Sequence, residues 1–207
     1  MFDDRIHAGK ELGRVVAESL HDAQAVVLAL PRGGVPVAVQ VAKALHAELD
    51  VFLVRKLGVP GREELAFGAI STGGVRVMNR AVILEMDLSN DAIEQVIERE
   101  QAELARRERA YRQGSKPIEM RDRVAILVDD GLATGATMLA AVRAVRLQKP
   151  KTVVVAVPVA SRHAVAGLRK AADEVICVEV PETFYAVGEW YEDFEQVTDE
   201  EVRSMLE

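Results

Sequence analysis

Four runs of Val, Ile, Leu and Ala, at residues 25–30, 51–54, 124–128 and 152–157, with a shorter fifth at 175–180, most constrain what this chain can become. Each is nearly continuous in apolar residues rather than alternating. That is the pattern of a strand buried on both faces, as in a parallel sheet covered by helices. Helical spacing fills the intervals, with Leu12, Val15, Val16 and Leu20 before the first run, Val37, Val41 and Leu45 after it, and Met138, Leu139, Val142 and Val145 after the third. The alternation predicts an α/β fold of three layers, α/β/α, with a mostly parallel central sheet and right-handed crossovers.

Three segments lie outside that plan. Residues 58–78 have turn residues at both ends and short strand-like stretches between, and read as a mobile loop or β-ribbon. Residues 89–113 read as an inserted helix capped by Ser89, with Ile93, Val96, Ile97 and Leu104 on one face and Glu/Arg pairs on the other. Residues 181–207 form a small C-terminal hood or tail. With 207 residues, 49% of them hydrophobic, and no repeat or linker, the chain 1–207 is expected to be a single domain.

A net charge of −7 offers no electrostatic footprint for a nucleic-acid backbone or an anionic membrane. No stretch approaches the roughly 20 apolar residues that span a bilayer, and the first ten residues lack the apolar core of a secretory signal, so a cytoplasmic location is expected. Cys177, the single cysteine, sits in the apolar "VICVEV" and reads as a small buried hydrophobe. His7, His21, His46 and His163 show no metal-ligand spacing.

Residues 124–137, "VAILVDDGLATGAT", carry the chemistry. Asp129 and Asp130 follow an apolar run, at the carboxyl end where open α/β sheets bind ligands, and carboxylates there can accept hydrogen bonds from vicinal hydroxyls. Ala133, Thr134, Gly135, Ala136 and Thr137 then lead into a helix whose first N–H groups have no intrahelical partners and suit a phosphate. Gly135 lets the backbone itself approach, and Thr134 and Thr137 add hydroxyl donors. The combination fits a phosphorylated sugar. The fingerprint of a Walker P-loop is absent, and "RGGVPV" does not supply that of a dinucleotide-binding Rossmann domain.

This stretch resembles the signature of the type I phosphoribosyltransferases. The resemblance implies that Asp129 and Asp130 hold the ribose 2′- and 3′-hydroxyls of phosphoribosyl pyrophosphate and that residues 133–137 cradle its 5′-phosphate. Gly131 departs from the family pattern, which more often has a β-branched residue there, and is expected to loosen the turn. "ALPRGGVPVA" resembles the family's pyrophosphate loop, where backbone amides and often a non-proline cis peptide face the leaving group. Arg32, Gly33 and Gly34 take that role by resemblance; taken alone, the segment is also an ordinary turn opening a helix. Arg55 and Lys56, expected at the end of the second strand, correspond to the family's basic residues for pyrophosphate. The implied catalytic set is Lys56, Asp129 and Asp130, with Mg²⁺ carried by the ligand near the two acids. A loop at 58–74, including Glu63 and Glu64, is expected to close over the ligand.

Acceptor choice in the family depends on a hood and on the loop after the fifth strand, here Ser161-Arg162-His163 and a tail with Phe184, Tyr185, Trp190, Tyr191 and Phe194. Ser161, Trp190 and Tyr191 are the candidate acceptor pocket, though the aromatics equally suit pinning the tail to the core. "DRIHAGKELG", "VRKLGVPGREELAFGAI" and "FYAVGEWYEDFEQVTDEEV" further resemble a bacterial and archaeal branch of the family. The implied partners are phosphoribosyl pyrophosphate, an unspecified small-molecule acceptor and a second copy in a homodimer, with no nucleic acid or membrane. The alternative is a regulatory protein that senses phosphoribosyl pyrophosphate without turnover.

Overall fold

A computed structural model describes residues 1–20, 24–112 and 114–207; His21 and Gln113, which enter the histidine and helix readings, lie outside the described residues. Five strands form a parallel sheet in the order β2 (Glu48–Val51), β1 (Ala25–Ala29), β6 (Val124–Val128), β7 (Thr152–Val159) and β8 (Glu174–Glu179). Register aligns Val27, Ile126 and Val154 in one row and Leu28, Leu127 and Val155 in the next. Because side chains alternate between faces, neighbouring rows feed opposite cores. The first row packs in one core with α1 (Arg5–Ser19) and α2 (Gly34–Leu45), the second in another with α5 (Ala136–Arg146) and α6 (Arg162–Leu168). The three-layer α/β architecture expected from the sequence is therefore present.

The run at 51–54 does not form one strand. β2 ends at Val51, and buried Phe52 and Leu53 turn the chain out of the parallel sheet, with Phe52 N–H donating to Ala29 O at 2.8 Å and Leu53 N–H to Thr72 Oγ1 at 2.9 Å. β3 (Val54–Val59) then opens a separate antiparallel sheet with β4 (Arg62–Ser71) and β5 (Val75–Met78). Arg55 and Lys56 consequently sit on this ribbon and not at the end of a central strand. Continuous hydrophobicity marks burial but not the point at which a chain changes sheets.

A short α3 (Arg80–Glu85) follows, then α4 (Asn90–Arg112), whose Ser89 hydroxyl accepts from Ala92 N–H at 3.2 Å. Val96, Ile97 and Leu104 bury the expected stripe, with Glu100 lodged in the same face. At the far end Arg112 donates to Asp50 at 2.7 Å and to Val51 O at 2.7 Å, fastening α4 to β2. The C-terminal segment makes a 3₁₀ turn at Val187–Trp190 and ends in α7 (Asp199–Leu206), started by a capping box between Thr198 and Glu201. A third cluster, Phe2, Ala8, Val159 and Tyr191 with Val187, Trp190 and Phe194, joins the tail to the N-terminus. Among the described residues no helix is long and apolar enough to cross a membrane.

Candidate active site

Chain connections from β1 run outward to β2 on one side, while β6 lies on the other, so the sheet order reverses between β1 and β6. At such a switch point the loops beyond the strands part and leave a crevice for a ligand. The loop after β1 and the acid pair after β6 meet there. A Cβ on Gly33 would lie 2.0 Å from Asp130 Oδ2, and one on Gly34 would lie 2.9 Å from Asp129 Cα. Only bare backbone fits against these acids. The Pro31–Arg32 peptide is cis. Gly34 N–H is used internally, donating to Leu30 O at 3.1 Å, whereas the N–H groups of Arg32 and Gly33 have no hydrogen bond among the described residues. The Arg32 side chain lies 3.7 Å from Asp199 of α7, whose carboxylate also accepts from the Tyr111 hydroxyl at 2.7 Å.

Burial and the neighbouring charge of Asp130 push the Asp129 carboxyl well above its ordinary range. Asp130 is also raised by burial, against the opposing pull of Arg5. Arg5 Nε donates to Asp130 Oδ2 at 2.8 Å, and Asp130 N–H donates to Asp129 Oδ1 at 2.9 Å. The Tyr191 hydroxyl donates to the backbone oxygen of Asp130 at 2.5 Å, and burial raises its own pKa.

Gly131 carries a steric explanation. A Cβ there would sit 2.5 Å from Val187 Cγ1 and 3.1 Å from Val159 Cγ1. The space that a larger residue would take is filled by the tail, so the turn is packed rather than loosened, which corrects the expectation from the sequence.

Downstream, Gly135 adopts φ +72° at the start of α5, where the left-handed conformation favours glycine. Gly135 brings no capping side chain, the Thr134 hydroxyl accepts from Ala136 N–H at 3.4 Å, and the N–H groups of Thr134, Gly135 and Thr137 have no hydrogen bond among the described residues. Ala133, Thr134, Ala136 and Thr137 are exposed. The Ser161 hydroxyl donates to Ala133 O at 2.6 Å while accepting from Ala164 N–H at 3.1 Å as the cap of α6. Ser161 therefore braces this loop.

The antiparallel ribbon separates the two basic residues. Arg55 Nη2 lies 2.6 Å from Glu100 of α4, while Lys56, on the opposite face of β3, lines a cavity of about 680 Å³ between the ribbon and α5. Ala136 lines the same cavity, so Lys56 and the start of α5 share one space, together with Glu64, Arg80 and Arg143. A much smaller pocket, about 30 Å³, gathers Pro31, Arg55, Arg107 and Thr137 between the two loops.

The sequence profile of the phosphoribosyl transferase domain matches residues 4–195. The chain belongs to this family. Two Mycobacterium tuberculosis proteins, from strains CDC 1551 and H37Rv, are 47% identical over all 207 residues, and each bears the provisional name phosphoribosyl transferase. The match takes in 46% of those proteins, so the chain spans about half the length of the curated relatives it matches. The crystal structure of TT1426 from Thermus thermophilus is 45% identical and superposes with a TM-score of 0.90 over 99% of this chain and 97% of that one. AQ2163 from Aquifex aeolicus shares the fold at 12% identity, with a TM-score of 0.55 over 89% of this chain and 78% of its own.

Within this phosphoribosyl transferase domain the sequence-predicted residues divide into two groups. Arg32, Gly33, Gly34, Asp129, Asp130 and residues 133–137 converge at the switch point, with Lys56 adjoining through the ribbon cavity. Trp190 and Tyr191 belong to the aromatic cluster at the N-terminus, where Phe2 N–H donates to Trp190 O at 2.8 Å and the Tyr191 and Phe194 rings stack 4.9 Å apart. Their contacts join the tail to the core. Cys177 is half-buried, and that burial pushes its thiol up to about 12. Arg5 was not among the predicted residues. The signal lay in its position, since a basic residue opening a helix opposes the helix dipole and needs a tertiary reason to be there.

Proposed function

We propose that the chain transfers ribose 5-phosphate from phosphoribosyl pyrophosphate to a nucleobase-like acceptor, releasing pyrophosphate, in a Mg²⁺-dependent reaction. The observation that carries this reading is the meeting of two loops at the switch point. Glycine backbone with two open amides abuts paired carboxylates, and a helix start with further open amides follows six residues after Asp130. Asp129 and Asp130 accept hydrogen bonds from the vicinal ribose hydroxyls. The amides of Thr134, Gly135 and Thr137 take the terminal phosphate. Arg32 and Gly33 N–H groups and the Lys56 ammonium face the pyrophosphate, whose charge grows as its bond to C1 lengthens and the acceptor nitrogen forms the new bond.

No group of three or more metal-ligating side chains exists among the described residues. What the site does offer is a pair of acids raised toward protonation by burial, which suits a cation brought in by the ligand. Bound Mg²⁺ would neutralise charge on the pyrophosphate and on the ribose oxygens. A homodimer and a cytoplasmic location belong to the same proposal.

Incubation with phosphoribosyl pyrophosphate, Mg²⁺ and a panel of bases, read by mass spectrometry, tests turnover and names the acceptor. Consumption of the sugar with appearance of a nucleotide is expected. Binding without turnover would instead make the chain a sensor. In calorimetry, Asp130→Asn should weaken phosphoribosyl pyrophosphate binding by about 10-fold, the scale of one hydrogen bond to a charged group. Unchanged affinity would remove the acid pair from the site.

A further inference from the structure

We propose that Arg5, on the first turn of α1, is a positioning residue that aims the Asp130 carboxylate at the sugar and couples it to the C-terminal tail. This rests on the reading of Asp130 as a ribose ligand. Arg5 and Asp130 are 125 residues apart, yet their side chains meet at 2.8 Å and both are largely buried, at 12% and 15% exposure. Few exposed-surface ion pairs hold a fixed geometry, because two long side chains lose entropy for little Coulombic gain. This pair is different because the arginine side chain has two further contacts and projects from a capped helix. Its Nη1 donates to Glu195 O at 2.7 Å, its guanidinium carbon stands 3.9 Å from the centre of the Phe194 ring, and Asp4 caps the helix from which it projects by accepting from His7 N–H at 2.6 Å.

Asp130 is bounded just as closely. Gly33 backbone lies against Oδ2, Asp129 stands beside it on the same strand end, and the Tyr191 hydroxyl holds its carbonyl oxygen. Arg5 engages Oδ2, and this contact sets the direction in which the carboxylate presents its other oxygen, Oδ1. A planar guanidinium fixes a carboxylate's orientation as well as its charge, which a compact ammonium does not do equally. N-terminus, β6 and tail thus converge on one acid. Loss of Arg5 leaves two adjacent buried carboxylates without their shared counter-charge and lets Asp130 rotate.

A binding cycle tests this, using ribose 5-phosphate and inorganic phosphate as probes in calorimetry on the full chain. Arg5→Gln should weaken ribose 5-phosphate about 10-fold, the scale of a lost charge-assisted hydrogen bond, and leave inorganic phosphate unchanged. On an Asp130→Asn background the same substitution should cost nothing further, because a residue acting through Asp130 has nothing left to act on. Equal loss on both backgrounds, equal loss for inorganic phosphate, or unchanged or tighter sugar binding in Arg5→Gln would overturn the proposal. Should that variant fail to fold, Arg5→Lys carries the cycle. An about 3-fold loss that vanishes with Asp130→Asn supports the role, and an undiminished loss sinks it. Wild-type protein that binds ribose 5-phosphate no better than inorganic phosphate would instead defeat the sugar-site reading itself, and this inference with it.

Discussion

Carboxylates resist leaving water, and Asp129 is partly buried beside another carboxylate. Its pKa lies above the ordinary 3.8, so between that value and the raised one the folded chain holds a proton that the unfolded chain has lost. Stability therefore falls as pH rises through that window, and the full penalty stands at higher pH. Asp129→Asn should raise stability at pH 7 by about 1–3 kcal/mol, with the gain shrinking as pH approaches 4, while ribose 5-phosphate binding is lost. Thermal melts across pH check this, and a variant less stable than wild type at pH 7 would contradict it. The acid pair was legible in the sequence because two acids closing an apolar run are chemically conspicuous. Arg5 was not, because nothing within its own helix says which carboxylate it meets. Nor does the sequence reveal that the hydroxyls of Ser161 and Tyr191 hold backbone oxygens of the one loop after β6, those of Ala133 and Asp130.

Between elements, the turn after β6 and the 3₁₀ turn at Val187–Trp190 interlock through the missing side chain of Gly131. Restoring the family's bulk should force them apart. Gly131→Val is expected to destabilise by about 1–3 kcal/mol, the usual cost of overpacking, and Val187→Ala in the same chain should recover part of it. Chemical denaturation of the two single variants and the double variant measures the coupling; strictly additive losses would mean that the two residues do not compete for one space. α4 shows what periodicity does and does not reveal. Its apolar stripe was readable, but Glu100 within that stripe is buried because Arg55 on β3 comes to meet it, and Arg112 because Asp50 lies opposite. A charged residue on an apolar face signals a partner without naming it.

At the scale of the whole molecule, two sheets of different kind are brought to one helix. The parallel sheet delivers the loop that opens α5, and the antiparallel ribbon delivers Lys56 to a cavity on the same helix. On the proposed reading, the sugar contacts and the cation for the leaving group would come from two different sheets. Lys56→Ala should lower kcat by about 100-fold while leaving ribose 5-phosphate affinity near wild type. Steady-state kinetics with parallel calorimetry distinguishes this from a general loss of binding, which would place Lys56 on the sugar instead.

The sequence alone determined the parallel α/β plan, the position of the acids at a strand's carboxyl end and the small-residue start of α5. These follow from burial and backbone sterics acting over a few residues. Tertiary structure decided which faces those residues meet: the exit from β2 into the ribbon, the opposite directions of Arg55 and Lys56, the tail filling the space at Gly131, and the joining of Arg5 to Asp130. Such pairings depend on how distant faces dock, and side-chain identity along the chain does not encode that distance.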